Sequence, residues 1–380
     1  MTRRVVLGSA AALVGTPALA LGPVVGETPI QVAPTGLWTG VWIEKRGPFR
    51  FSIASGVNSF AVLDELAERL ELRRRPSDAI RRSGPDERPV NLYRAQEILV
   101  GGTLGLTLVD LAGIRADRPR ATVGQLPLIT DRVTAFDFAN GVMRMTTDAP
   151  KDLSGYERLP LLHEESFLGW SPELICRYGG RKLRFGVSTS SGNALAIYPD
   201  AVRRLGLWDG PGPSFERWDH DGSTEFRRKI TRRGDLELGG LTVKNPVVEL
   251  HDPKISAFGR GGNDGHIGLE LLRRMDVVVE QPRRLLWLRP RGAALEAPWR
   301  HDRSGFGFDY RDRAWRVVTV DEGGPAAKSG LSVGDLLTGT AEAIQRLDEA
   351  RWEPPGTNLA FSVLRDGKPV RISITLEDRL

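Results

Sequence analysis

The chain has 380 residues, 40% of them hydrophobic and 27% charged, which is too apolar for disorder and too long for one ordinary domain, so two or three folded units are expected. Its 53 basic residues against 48 acidic ones leave a net charge of +5, and the arginines are interleaved with acids, which argues against nucleic acid as a partner. The single cysteine, Cys176, excludes an intramolecular disulfide and a cysteine-built zinc cage and reads as a buried small hydrophobe.

At the N-terminus Thr2-Arg3-Arg4 precedes an apolar stretch from Val5 to Leu21 that ends in Ala18-Leu19-Ala20, the small-x-small pattern of a signal peptide over residues 1–20. It is short for a bilayer span, and no later run reaches the roughly 18 apolar residues that a membrane helix needs, so no membrane span is expected. The run Thr2 to Leu7 also resembles a twin-arginine export signal, and Sec and twin-arginine export both stay open. Either route, with no cysteine behind the signal to carry a lipid, predicts a periplasmic or secreted protein.

Beyond the signal, 43 glycines and 25 prolines punctuate short apolar runs, the pattern of a strand-rich chain. Two stretches 134 residues apart read alike: Phe49-Arg50-Phe51-Ser52-Ile53-Ala54-Ser55-Gly56 and Leu183-Arg184-Phe185-Gly186-Val187-Ser188-Thr189-Ser190. Each alternates as a strand, meets small polar residues that permit a turn, and enters a short amphipathic helix with Asp64 or Asp200 at its start, a cap or first-turn position. Each half then closes on strand, turn, strand, at Val133 to Met145 and at Met275 to Leu288.

These features, with Asp264-Gly265-His266-Ile267-Gly268-Leu269-Glu270-Leu271-Leu272-Arg273-Arg274 late in the second half, resemble the retropepsin-like aspartic peptidases of bacteria. The resemblance implies a mainly β fold: two pepsin- or retropepsin-like β-barrel lobes, over 30–148 and 157–290, related by a pseudo-twofold. It also implies that the two turns meet at the axis, where the family carries Asp-Thr/Ser-Gly and the paired aspartates activate a water. Here the aspartate positions are Ala54, followed by Ser55 and Gly56, and Ser188, followed by Thr189 and Ser190. Neither turn has its carboxylate, and without two carboxylates in contact no shared proton separates an acid from a base. Ser55 and Thr189 retain the family's hydroxyls, whose role is structural.

Substitutes for the dyad are poor. Asp64 and Asp200 stand at helix starts, and Asp137 and Glu280 at strand-end turns. No Gly-x-Ser-x-Gly elbow occurs, and no histidine lies near either turn in sequence. His163-Glu164-Glu165-Ser166-Phe167 lacks the second histidine of a zinc helix. His251-Asp252, His266 and the Trp218-Asp219-His220-Asp221 run read as isolated, solvated or hydrogen-bonded loop histidines, and Arg73 to Arg75 with Arg81-Arg82 as a solvated face or loop. No metal and no cofactor are expected.

After Pro290 the composition shifts to Arg291-Gly292-Ala293-Ala294 and Ala297-Pro298-Trp299, which predicts a linker before a separate domain over 302–378. Gly305-Phe306-Gly307-Phe308 leads into a strand. Pro325-Ala326-Ala327-Lys328-Ser329-Gly330-Leu331-Ser332-Val333-Gly334-Asp335 follows, then a helix over Ala341 to Arg351 and a strand pair joined at Asp366-Gly367. This order resembles a small α+β PDZ domain. The resemblance implies recognition of peptide or protein C-termini, with N–H groups of Gly305, Phe306, Gly307 and Phe308 at the carboxylate and Ile344 and Leu347 as groove walls. The preferred reading is an exported pseudopeptidase that binds peptides or a protein partner. The alternative is an active aspartic-type peptidase using carboxylates that the pattern does not reveal.

Overall fold

Phe51 and Ile53 alternate with Arg50 and Ser52, and in the computed structural model the strand Arg46–Ile53 buries the first pair and leaves the second half-exposed. The same period of two recurs in Arg181–Val187, which buries Leu183, Phe185 and Val187. The chain is mainly β, and the structure describes residues 24–57, 59–75, 90–116, 118–129, 131–162, 172–221, 224–254 and 262–380. The expected signal segment, His163 and Arg81-Arg82 lie outside these residues.

The sequence repeat is a repeat of topology. After Arg46–Ile53 the chain turns through Phe60–Leu63 into the helix Asp64–Arg69. The later strand Gly124–Leu126 inserts parallel to Arg46–Ile53 and antiparallel to Phe60–Leu63, while Leu104–Ile114 runs parallel to Phe60–Leu63. In the second half Arg181–Val187 turns through Leu195–Ile197 into the helix Pro199–Leu205. Gly265–Ile267 inserts parallel to Arg181–Val187 and antiparallel to Leu195–Ile197, and Val247–His251 runs parallel to Leu195–Ile197. The inserted strands begin with glycine in both halves for one steric reason. A Cβ on Gly124 would lie 2.1 Å from the Phe51 ring, and one on Gly265 2.0 Å from the carbonyl oxygen of Ala196 and 2.9 Å from the Phe185 ring.

A six-stranded sheet joins the halves in the order Val24–Pro29, Val142–Thr146, Val133–Asp137, Met275–Glu280, Leu285–Pro290, Glu157–Pro160. Its centre is the antiparallel pairing of Val133–Phe136 with Val277–Glu280, so each half contributes its closing hairpin and one flanking strand. The first flanking strand precedes residue 30. One hydrophobic core runs from Ile30 to Trp299, with Cys176 inside it, where burial pushes the thiol pKa up.

The C-terminal sheet has its own core, built on Phe306, Val317, Val363 and Ile374. Its strands follow the order Phe306–Arg311, Ala314–Val320, Leu336–Leu337, Asn358–Arg365, Lys368–Thr375, with helices Pro325–Lys328 and Ala341–Ala350. Thr340 caps the second helix by accepting from the Ala343 N–H. Asp366 and Gly367, at φ of 51° and 77°, make the tight hairpin.

The segment expected to be a linker is a docked strap. Arg274 donates to the carbonyls of Ala294 and Ala297 at 2.7 Å each and of Pro298 at 2.8 Å, and stacks on the buried Trp299 ring at 3.9 Å. Composition misled here because the residues that hold the strap belong to another segment.

Candidate functional site

The two turns meet. Ala54 N–H donates to Leu126 O at 2.9 Å and Ser188 N–H to Ile267 O at 2.8 Å, so each inserted strand anchors its own turn. Across the contact Ser55 Oγ donates to Val187 O at 2.6 Å and accepts from Thr189 N–H at 3.0 Å. Thr189 Oγ1 in turn donates to Ile53 O at 2.8 Å and accepts from Ser55 N–H at 3.0 Å. Both hydroxyls are at least 97% buried, and each uses its proton and a lone pair on the opposite strand. Ala54 is buried beside them, Gly56 and Ser190 are exposed, and Ser188 Oγ lies 3.5 Å from Ser190 Oγ.

Asp64, Asp200, Asp137 and Glu280 all have other partners. Asp64 accepts from Asn91 Nδ2 at 3.1 Å and Tyr93 OH at 2.9 Å, and Asp200 pairs with Arg203 at 2.9 Å. Of the two positions expected, cap or first turn, both acids occupy the first helical turn, and neither helix has a side-chain cap hydrogen bond. Asp137 holds Asn140, and Glu280 holds Arg283 and the Trp287 indole. Among the described residues no group of three or more His, Cys, Asp or Glu is arranged to hold a metal.

His251 and His266 are strand residues that flank Tyr198, with ring centroids at 5.5 and 5.7 Å from it, which corrects their reading as isolated loop histidines. His266 Nε2 lies 2.8 Å from Ser191 Oγ and 3.1 Å from Asn193 Oδ1, and Nδ1 lies 3.0 Å from Tyr198 OH. Asn193 Nδ2 donates to Glu249 at 3.2 Å, so its oxygen faces the imidazole. That oxygen requires a proton on Nε2, and the Tyr198 hydroxyl then donates to Nδ1. With Nε2 protonated, the ring has no lone pair there and is no base for the Ser191 hydroxyl. Burial, with the charge of Arg228, holds the His266 pKa down at about 4. This cluster escaped the sequence reading; its only signal is that His266 occupies the middle of the inserted strand, where the first half has Gln125.

Ser190, at the second turn, faces a cavity of about 520 Å³ whose far wall is the C-terminal domain. Trp38, Ser52, Gln125 and Ser190 line one side, and Gly307, Phe308 and Ile344 the other. Of the residues singled out in the C-terminal domain, Gly305, Phe306 and Leu347 lie off this wall. Phe306 is buried in the local core against Phe361, and Leu347 packs against that core. Arg118 reaches across to Asp309 at 3.3 Å. Below the cavity the buried carboxylate of Asp302 takes Arg217 at 2.7 Å from one side and Arg351 at 3.0 Å from the other, with Ser304 N–H and Oγ at 2.9 and 2.6 Å.

No family model and no curated protein matches this chain. Among solved structures it is similar to the aspartic proteinase from Irpex lacteus, with a TM-score of 0.44 and 14% identity over 70% of this chain and 97% of that one. It is also similar to basic 7S globulin from soybean, with a TM-score of 0.39 and 10% identity over 70% and 94% of the two chains. These neighbours are aspartic-proteinase-like folds.

Proposed function

We propose that this is an exported pseudopeptidase: two pepsin-like lobes that have lost the catalytic dyad, with a PDZ-like domain that binds peptide or protein C-termini. The observation that carries the reading is the reciprocal pair of buried hydroxyl bridges, Ser55 to Val187 and Thr189 to Ile53, at two turns that both lack a carboxylate. A dyad scaffold is present and its acid–base pair is absent; alanine at 54 and serine at 188 supply no pair of carboxylates to divide a proton and orient a water.

Binding then rests on the C-terminal domain. Phe306–Arg311 is an edge strand of its sheet, with the Ala341–Ala350 helix across from it. An extended peptide adds beside such a strand through main-chain hydrogen bonds, and its terminal carboxylate takes N–H groups at the start of that strand, from Gly305 to Phe308. Because the groove opens on the cavity that Ser190 lines, residues upstream of the bound terminus would run along Trp38, Gln125 and Ser190.

The test is fluorescence anisotropy of the full mature chain with decapeptides ending in an apolar residue, as free acids and as C-terminal amides. Amidation removes the anionic acceptor and with it most of the affinity, and Ile344→Asp, placed in the groove wall, weakens the free acids. Equal affinity of acid and amide would refute C-terminal recognition.

A further inference from the structure

A second cavity, of about 790 Å³, lies away from the turns, where the strap and its neighbours meet the Trp352 to Pro355 loop. Its wall carries Arg273, Arg274, Arg291, Arg300 and Arg303 against a single acid, Asp378. Behind the wall the buried Glu270 neutralises Arg273 at 2.6 Å and Arg274 at 2.5 Å. Five guanidiniums against these two carboxylates leave three positive charges in excess around one open cleft.

The structural duties of these arginines are unequal. Arg274 commits its donors to Glu270 and to the carbonyls of the strap. Arg303 donates to Trp299 O at 2.9 Å and, at 3.4–3.5 Å, to the carbonyls of His301, Trp352 and Glu353, yet among the described residues its nearest carboxylate is Asp378 at 3.9 Å, beyond hydrogen-bond reach, and its buried Nε has no acceptor. Arg291 bonds Arg273 O and also leaves its Nε without an acceptor. Arg300 is half-buried, and among the described residues its guanidinium has no partner; only its backbone N–H is used, on Glu270 at 3.1 Å. Burial, and the like charge of Arg300, hold the pKa values of Arg273 and Arg303 down. Packing alone gives no reason to gather an unpaired arginine with four others, since like charges in a partly desolvated space repel.

The remainder of the wall is apolar: Phe138, Trp352, Pro354 and Pro355. The volume is that of a small-molecule site, concave, with an apolar surface and a few charged groups. We infer that this cavity binds a small organic anion, its phosphate or carboxylate held by Arg300 in the field of the other arginines and its apolar part against Phe138 and Trp352. The charge sets the head group, and the aromatic and proline wall asks for a ring or short chain attached to it. Neither the empty dyad nor the groove of the C-terminal sheet contributes to the cavity, so the inference stands apart from the proposed peptide binding.

The test is calorimetric titration of the full mature chain at low salt with phenyl phosphate, benzoate, inorganic phosphate and phenol. Phenyl phosphate or benzoate binds saturably, inorganic phosphate at least about tenfold more weakly, and phenol not at all. The choice between the first two identifies the head group. Arg300→Ala lowers the affinity about tenfold or more, as expected for a lost charge-assisted hydrogen bond, and Arg300→Lys restores part of it. Since the Arg300 side chain has no partner among the described residues and is repelled by its neighbours, circular dichroism stays unchanged in both variants and the melting temperature does not fall. Absence of saturable binding by both aromatic anions, unchanged affinity in Arg300→Ala, or equal affinity for phenol would overturn the inference.

Discussion

Asp302→Asn perturbs the one buried carboxylate that ties the second half of the body, through Arg217, to the C-terminal sheet, through Arg351. Burial alone would raise the pKa of Asp302, but the guanidiniums of Arg351 and Arg217 and the two bonds from Ser304 outweigh it and hold the carboxyl at about 2, against an ordinary 3.8. At about 1.4 kcal/mol per unit, that fall corresponds to about 2–3 kcal/mol of stability from the ionised form. Asparagine keeps an oxygen for Ser304 but removes the counter-charge. Arg351 retains Asp348 at 2.8 Å, which keeps the expected cost near 2–3 kcal/mol, below the roughly 3–5 kcal/mol of a fully orphaned buried charge. In thermal melts at neutral pH the variant should unfold about 5 °C lower. Because the folded-state pKa is depressed, the contribution is complete above the unfolded value and is lost as pH falls through the folded one. The gap between wild type and variant therefore stays constant above about pH 4 and closes toward about pH 2. A gap that persists unchanged to the acid limit, or one under about 1 °C at neutral pH, would refute the assignment of the charge to this node.

Thr189→Val strips the partners from Ser55 N–H and Ile53 O in a buried contact and should cost about 2–3 kcal/mol in urea denaturation; Ser55→Ala should cost a similar amount, and the pair together less than the sum, because one bridge supports the other. His266, held neutral by burial, has its folded pKa below its unfolded one, so stability falls as pH drops from about 6.5 toward 4. His266→Gln should flatten that slope in pH-dependent melts, and an unchanged slope counts against the buried neutral ring. The protein should cleave no unfolded protein substrate between about pH 2 and 8, and Ala54→Asp with Ser188→Asp should restore little or nothing, since Ser190 still replaces the second glycine; pepstatin-sensitive cleavage by the unmutated chain would overturn the reading as a pseudopeptidase.

Periodicity and turn chemistry are local properties, so the elements they specify were legible in the sequence. The alternation of Phe51 and Ile53, repeated in Phe185 and Val187, located both strands that lead to the turns, and the glycine of the Asp366-Gly367 turn marked the last hairpin. The absence of carboxylates at Ala54 and Ser188 was equally plain once the repeat had set the register. Contacts between distant segments were not legible. His266 and Ser191 are 75 residues apart and meet only because Gly265–Ile267 inserts beside Arg181–Val187. Arg274 stapling the strap, Asp302 joining Arg217 to Arg351, and the five arginines around one cavity likewise depend on which surfaces the sheets bring together. Sequence by itself determined the strands, the repeat and the residues at the two turns, because each follows from neighbours along the chain; tertiary structure alone decided which charges face one another, because burial and distance are set by the packing of segments that share no local pattern.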